Sequence, residues 1–256
     1  HLRVSGTLTA GHYALPGNVS SQFVSGLLFA LPQLAGDSVI EITTEMESKA
    51  YLDLTLSVLK DFGISVTHEN YRRFLIPGGQ TYRACPYTVE ADYSQAAFFL
   101  VAGALGCDVR CKGLRPDSLQ GDRKILSLIE ETGAKLTRFS DGSVRAEPTA
   151  RMHGIEIDAG EIPDLVPILA VLCAFLRGES RIVNAGRLRM KESDRLAAIA
   201  SELGRLGAHI KEGTDSLTIE GCQTLHGETV SAWNDHRIAM ALAIAACRCE
   251  GAVTLT

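Results

Sequence analysis

The chain has 256 residues, of which 46% are hydrophobic and 21% are charged, a composition typical of a water-soluble globular protein with one or two domains. Its net charge of −5 and the lack of any lysine- and arginine-rich run argue against a nucleic-acid partner. These totals favour a small molecule as the partner.

The first predicted elements are an apolar helix with a polar entrance, a short strand and an amphipathic helix that ends at a glycine. In chain order these are the entrance Ser20-Ser21-Gln22, the apolar helix through residues 27–31, the strand at 39–42, the helix at 51–62 and Gly63. The same succession recurs with the entrance at 92–95, the apolar helix at 96–105, a strand containing Val109 and Cys111, the helix at 124–132 and Gly133.

Two further copies follow. The third has the entrance Pro163-Asp164, the apolar run 165–176, the strand 181–183, the charged stretch 188–195, a helix with Leu196, Ile199, Leu203 and Leu206 on one face, and Gly207. The fourth has the entrance His236-Arg237, the helix 238–247 and the strand 253–256. Because this copy stops after one helix and one strand, we expect the chain to be truncated.

The recurrence predicts duplicated units. Gln22, Gln95, Asp164 and Arg237 occupy equivalent entrances and lie about 70 residues apart, a longer period than that of common solenoid repeats. The first helix of each copy is apolar on nearly every side, so we expect it to be buried on every side. This favours an α/β fold with buried helices inside and sheets outside, the reverse of a doubly wound sheet.

The charged stretch from Leu188 to Arg195 is the first candidate for chemistry. It places Lys191, Glu192 and Arg195 where a loop enters a helix, a position that favours bound anions. A solvated helix start with local ion pairs explains the spacing equally well.

Two other helix entrances carry charged residues. Arg237 opposes the helix dipole at the start of a helix and therefore needs an anionic partner. Asp164 is either a helix cap or a base at the edge of a dry core, and its spacing leaves both open. Asp92 and Ser94 are expected to be N-cap residues.

Several other site types have no support in the sequence. The seven cysteines form no CxxC motif and no metal-like spacing with histidine, which suggests reduced thiols of a cytoplasmic protein. Neither GxGxxG nor GxxxxGK occurs, so no nucleotide cofactor is expected, nor is a metal. The longest apolar run, residues 165–176, is too short to span a bilayer.

Five motifs, in order along the whole chain, closely resemble those of the 5-enolpyruvylshikimate-3-phosphate synthase family. They are Ser20-Ser21-Gln22-Phe23, Ser48-Lys49-Ala50-Tyr51, Pro163-Asp164-Leu165-Val166-Pro167, Lys191-Glu192-Ser193-Asp194-Arg195 and Asn234-Asp235-His236-Arg237-Ile238-Ala239-Met240. The resemblance implies two domains, each built from three βαβαββ units. It also implies transfer of the enolpyruvyl group of phosphoenolpyruvate to the 5-hydroxyl of shikimate-3-phosphate, with release of phosphate and without metal or organic cofactor.

The resemblance also implies roles for individual residues. Asp164 matches a proton acceptor that contacts the accepting hydroxyl, Glu192 a candidate donor to the methylene carbon of phosphoenolpyruvate, and Lys191 a catalytic contact to shikimate-3-phosphate. Arg195 and Arg237 match binders of phosphoenolpyruvate, for which bidentate guanidinium groups are well suited. The positions that match other contacts to shikimate-3-phosphate are Ser20, Ser21, Gln22, Ser48 and Tyr51.

The sequence departs from the family pattern in places. Arg187 stands where some members carry a neutral polar residue, and the family's lysine- and arginine-bearing segments from the N-terminal, first-domain and C-terminal regions are absent. By this comparison residues 1–90 are the latter part of the first domain and residues 91–256 most of the second. We therefore expect the chain to be an internal fragment of such a synthase, with negligible activity in isolation.

Two alternatives remain open. One is an enolpyruvyl transferase that acts on a UDP-sugar, a reaction of the same superfamily. The other is a non-catalytic repeat scaffold whose charged helix entrances bind a protein or nothing. Ligand-induced stabilisation discriminates among the three readings.

Overall fold

The computed structural model describes residues 3–222 and 224–256. The chain divides into two compact units, His1–Thr88 and Val89–Thr256, and each has its own hydrophobic core. The predicted boundary at residue 90 lies close to this division, although the first two residues of the predicted first domain fall outside the described part. The assignment of the units to the two domains of a synthase stays a prediction.

The first unit is a four-stranded sheet with two helices. Its elements are β1 (His12–Leu15), α1 (Ser21–Ala30), β2 (Ser38–Ile42), α2 (Lys49–Asp61), β3 (Thr67–Glu69) and β4 (Arg73–Ile76). The strand order is β1-β2-β4-β3, with β1 parallel to β2 and the other neighbours antiparallel. Side chains from α1, α2, β2 and β4 fill the core.

The second unit contains five helices and several short strands among its described residues. They are α3 (Tyr93–Ala104), α4 (Ile125–Glu131), β5 (Lys135–Arg138), β6 (Val144–Glu147), β7 (Glu156–Asp158), α5 (Val166–Ala174), β8 (Glu179–Val183), α6 (Arg195–Arg205), β9 (His209–Glu212), β10 (Leu217–Glu220), β11 (Leu225–His226), β12 (Thr229–Val230), α7 (His236–Ala246), β13 (Cys249–Glu250) and β14 (Thr254–Leu255). Short 3₁₀ turns precede α4, α5 and α6.

The larger sheet of the second unit repeats the connectivity of the first. Its order is β7-β8-β10-β9, with β7 parallel to β8 and the remaining neighbours antiparallel. Strands and helices therefore follow each other as βαβαββ in both places. The wider repeat over four copies remains a prediction.

The helix α5 forms the centre of the second unit. All nine of its residues are buried, because α3, α6, α7 and the strands β8 and β10 pack around it. The amphipathic α6 buries one face, including Leu196, Ile199 and Leu203. The predicted complete burial of the apolar helix is thus confirmed for α5.

Two expectations about local structure are wrong. In α1 the residues Phe23 and Phe29 are 56% and 42% exposed, because this helix packs chiefly on α2 and turns Val24 and Leu28, not these two residues, into the core. The predicted strand around Val109 does not form, and Cys111 makes only an isolated bridge to Val144. The apolar composition of a helix allows it to be buried on every side. Whether it is buried depends on the elements that pack around it.

The predicted helix ends are confirmed. Gly63, Gly133 and Gly207 follow α2, α4 and α6 with φ angles of +81°, +88° and +97°. This left-handed conformation is easy only for glycine, so the helices stop there. Within the described residues, no helix is both long and apolar enough to cross a membrane.

Candidate active site

Asp164 lies at the centre of a cluster of charged side chains in the second unit. It sits in the 3₁₀ turn Pro163–Leu165 that leads into α5. Its Oδ1 is 3.0 Å from Nη1 of Arg195 and 3.6 Å from Nζ of Lys191, and its Oδ2 is 3.1 Å from Nη2 of Arg237. Neither the turn nor α5 has a side-chain cap, so Asp164 serves ion pairing rather than capping.

Arg195, the first residue of α6, is buried with only 1% of its side chain exposed. Its Nε and Nη2 donate to Asp235 at 2.8 and 3.4 Å, and Nη2 also donates to Oε2 of Glu192 at 2.6 Å. With Asp164, three carboxylates surround this guanidinium. The structure therefore excludes a solvated helix start for Arg195.

Arg237, in the first turn of α7, has the anionic partner that its position predicted. Its Nη2 donates to Asp164 and to Oγ of Ser94, both at 3.1 Å. Asp235 precedes it as the N-cap and accepts the backbone N–H of Arg237 at 2.9 Å. One buried carboxylate, that of Asp235, thus binds Arg195 and also caps the helix that carries Arg237.

Four helices of the second unit begin at this cluster. Ser94 lies in the first turn of α3, Asp164 precedes α5, Arg195 opens α6 and Arg237 belongs to the first turn of α7. The N-terminus of a helix carries partial positive charge and unpaired N–H groups. The helix starts and the three cations of the cluster together suit an anion that displaces one of their carboxylate partners.

Asp164 and Asp235 are held in their charged form. Burial alone raises the pKa of Asp164, but the charges of Arg237, Lys191 and Arg195 outweigh it, and the net pKa is below the usual value. Burial likewise raises the pKa of Asp235, but its hydrogen bonds from Arg195 and from the backbone of Arg237 bring the net value down. Both groups are therefore carboxylates at neutral pH.

Not every cation of the charged stretch faces the cluster. Arg189 donates to the carbonyl oxygens of Thr214 and Gly213 at 2.8 and 2.7 Å and pairs with Glu212 and Asp194. It thereby ties the loop before α6 to the turn between β9 and β10. Arg187 is half-buried in the same 3₁₀ segment, and its role stays a prediction.

The predicted shikimate-3-phosphate residues at positions 20–22, 48 and 51 lie in the first unit. Oγ of Ser20 caps α1 by accepting the N–H of Gln22 at 3.2 Å, and Ser21 is buried behind it. Ser48 precedes α2 in a left-handed conformation with φ 54°. The N–H of Glu47 donates to the carbonyl of Gly17 at 3.2 Å, so the loops that enter α1 and α2 lie side by side.

The sequence profile of the family EPSP synthase (3-phosphoshikimate 1-carboxyvinyltransferase) matches residues 1–256. The chain belongs to the EPSP synthase family. The 3-phosphoshikimate 1-carboxyvinyltransferase of Clostridium acetobutylicum is 52% identical over 254 residues, which cover 99% of this chain and 58% of that protein. The enzyme of the same name from Clostridioides difficile is 50% identical over 256 residues, with 99% and 58% covered.

A solved EPSP synthase from Acinetobacter baumannii shares the fold. It superimposes with a TM-score of 0.78 at 27% sequence identity and covers 97% of this chain and 58% of its own. The mixed α/β fold of an EPSP synthase is thereby confirmed, as is the family resemblance. The chain spans about 58% of the length of these relatives.

Sequence reasoning missed two polar side chains of this cluster. Asp235 was part of a motif but had no role assigned, and Ser94 was expected only as a cap, a task that Asp92 performs by accepting the N–H of Ser94 at 2.7 Å. Ser94 and Arg237 both stand at equivalent helix entrances in the repeat. That register was the one signal in the sequence that could have paired them.

Proposed function

We propose that this chain contributes to the transfer of the enolpyruvyl group of phosphoenolpyruvate to the 5-hydroxyl of shikimate-3-phosphate, with release of phosphate. The observation that carries this proposal is the convergence of Lys191, Arg195 and Arg237 on Asp164, where four helices begin. Both substrates are polyanions, and such a cluster offers cations, helix N-termini and a carboxylate base together. Family membership supports the same choice.

In this proposal Asp164 accepts the proton of the attacking hydroxyl. Its low pKa keeps it ionised and ready to accept a hydrogen bond, but also makes it a weak base in the free protein. A bound phosphate or carboxylate attracts Lys191 and Arg237 away from Asp164. Since those charges lower its pKa, their engagement by substrate strengthens the base when it is needed.

Glu192 is the acidic residue of the cluster that is most able to move. Its side chain is 53% exposed, whereas that of Asp235 is fully buried, and its described partner is Arg195. An incoming anion can displace Glu192 from Arg195 and take over the guanidinium. We assign to the displaced Glu192 the transfer of a proton from solvent to the methylene carbon, and a proton leaves that carbon again when phosphate departs. To Arg195 and Arg237 we assign the binding of phosphoenolpyruvate.

The remaining contacts to shikimate-3-phosphate are proposed for the first unit. The neighbouring entrances of α1 and α2 carry the hydroxyl and amide groups of Ser20, Ser21, Gln22, Ser48 and Tyr51. Hydroxyl groups and backbone N–H groups at helix starts are common phosphate ligands. The residue ranges 1–90 and 91–256 would then belong to the first and second domains of the enzyme, with a cytoplasmic location.

Calorimetric titration of the chain tests the proposal. We expect phosphoenolpyruvate and shikimate-3-phosphate to bind, and Arg237→Gln to lose the binding of phosphoenolpyruvate. Asp164→Asn removes a competing negative charge and should keep or tighten that binding. Glu131→Gln, an exposed substitution at the end of α4, is the matched control.

The alternatives predict different titrations. Binding of a UDP-sugar without binding of shikimate-3-phosphate would assign the chain to the other enolpyruvyl transferase. No binding of any of these anions would leave the scaffold interpretation. Phosphate release with both substrates present, at a rate above that of Asp164→Asn, would extend the proposal to catalysis by the chain itself.

A further inference from the structure

A strained turn directly precedes the capping residue Asp235. Trp233 and Asn234 both have left-handed backbones, with φ angles of 53° and 52°. Side chains other than glycine rarely adopt this conformation, and a bulky one such as tryptophan does so only when its surroundings hold it there. The turn leads into α7 and therefore determines the position of Arg237 in the first turn of that helix.

Glu202 of α6 holds this turn. Its side chain is only 5% exposed, yet it carries a carboxylate with donors on both oxygens. Nε1 of Trp233 donates to Oε1 at 2.9 Å, and the backbone N–H of Ser231 donates to Oε2 at 2.9 Å. Within the turn, the backbone N–H of Trp233 donates to Oγ of Ser231 at 3.2 Å.

The same face of α6 reaches both ends of the turn. Glu202 follows Arg195 by seven residues, which is about two helical turns, so the two side chains lie above each other on one face. Arg195 binds Asp235 at the end of the turn, while Glu202 binds Ser231 and Trp233 at its start. One rigid helix therefore fixes residues 231–235 at two points.

We infer that Glu202 is a positioning residue for the anion site, acting through the Trp233 turn on Asp235 and the guanidinium of Arg237. Its described polar partners are Ser201, Arg205, Ser231 and Trp233 rather than the cations of the cluster. The inference rests on the proposed function, because it assumes that Arg237 binds phosphoenolpyruvate. A carboxylate that only stabilised the core would affect unfolding without changing the affinity of folded protein for that ligand.

The test measures phosphoenolpyruvate binding by calorimetry at about 15 °C, near the temperature of maximal stability for a typical domain. Glu202→Gln places an amide against the N–H of Ser231 or the indole of Trp233, and Trp233→Phe removes the indole donor. We expect the dissociation constant to rise about tenfold in the first variant and by less in the second. Glu131→Gln controls for the exchange of a glutamate for a glutamine at an exposed position. Ile219→Val, at a buried position of β10, controls for a loss of stability.

Trp233 also gives a spectroscopic readout, because it is the sole tryptophan of the chain. Its emission should change when phosphoenolpyruvate binds to the parent chain, and this change should be reduced in Glu202→Gln. If Glu202→Gln does not fold, Trp233→Phe decides by calorimetry alone.

The outcomes separate this inference from the function on which it rests. Parent-like affinity in both folded variants, or an equal loss in Ile219→Val, would overturn the positioning role while leaving the proposed function intact. A parent chain that does not bind phosphoenolpyruvate overturns both. Weakened binding confined to the variants of Glu202 and Trp233 supports the inference.

Discussion

Replacing Asp235 by asparagine removes one negative charge from the buried partners of Arg195 while keeping the size of the side chain. In the parent, Oδ2 accepts Nε of Arg195 at 2.8 Å and Oγ of Ser193 at 3.1 Å, and Oδ1 accepts the N–H of Arg237 at 2.9 Å. If the asparagine oxygen stays on the N–H of Arg237, its amide nitrogen must face the Nε–H donor of Arg195, whereas the hydroxyl of Ser193 can turn to accept from it. The variant therefore keeps the cap and loses the ion pair.

The loss can be estimated from the burial of the pair. The side chains of Arg195 and Asp235 are 1% and 0% exposed, so solvent does not screen them. Removing one partner of a buried ion pair costs about 3–5 kcal/mol. Asp164 and Glu192 still neutralise the guanidinium, which places the expected cost at about 3 kcal/mol, near the lower end of that range.

Urea unfolding followed by the fluorescence of Trp233 measures this cost, because the tryptophan lies in the same unit. With an m-value of about 2 kcal/mol/M, the midpoint should fall by about 1.5 M. Asp92→Asn is the matched control, since Asp92 caps α3 in the same way and has only the N–H of Ser94 as its described side-chain partner. There we expect less than about 0.5 kcal/mol, because asparagine and aspartate cap equally well. Equal losses in the two variants would refute the claim that Asp235 neutralises Arg195.

Three further predictions concern acid, the core and thiol reactivity. The neighbouring cations outweigh burial and hold the pKa of Asp164 below its usual value, so its stabilising contribution is present at neutral pH and is lost as the pH falls below about 4 through the folded-state pKa. The free energy of unfolding in urea should therefore fall more steeply with acid for the parent than for Asp164→Asn. Leu169→Ala in the buried α5 should cost about 3 kcal/mol, against at most about 1 kcal/mol for Phe99→Ala, which is 48% exposed. Burial raises the pKa of the Cys173 thiol to about 12, so iodoacetamide at mildly alkaline pH should modify Cys247 but spare Cys173 until the chain unfolds, as mass spectrometry would show.

Each of these has a result that would contradict it. Parallel pH profiles for the parent and Asp164→Asn would mean that its ion pairs contribute no stability. Similar losses for Leu169→Ala and Phe99→Ala would argue against α5 as the centre of the second unit. Modification of Cys173 at the rate of Cys247 in folded protein would show that the thiol is accessible.

Local sequence features predicted much of the fold. The apolar and amphipathic periods gave the helices α1 to α7 to within a few residues, and Gly63, Gly133 and Gly207 end three of them as expected. These features act through neighbouring backbone, so the sequence specifies them directly. The strand expected at Val109 failed because strand formation needs a partner, and the backbone there bridges only at Cys111.

For the candidate site, the sequence by itself determined which residue types stand at the helix entrances, and through five ordered motifs it determined the family. It also required an anionic partner for Arg237, since a cation at that end of a helix opposes the dipole. Only the tertiary structure decided that this partner is Asp164, and that Ser94, 143 residues away in the chain, completes the contact. It also turned Arg189 away from the cluster and buried Arg195 among three carboxylates. The physical reason is that these pairings join distant segments, and their geometry exists only after α3, α5, α6 and α7 have packed together.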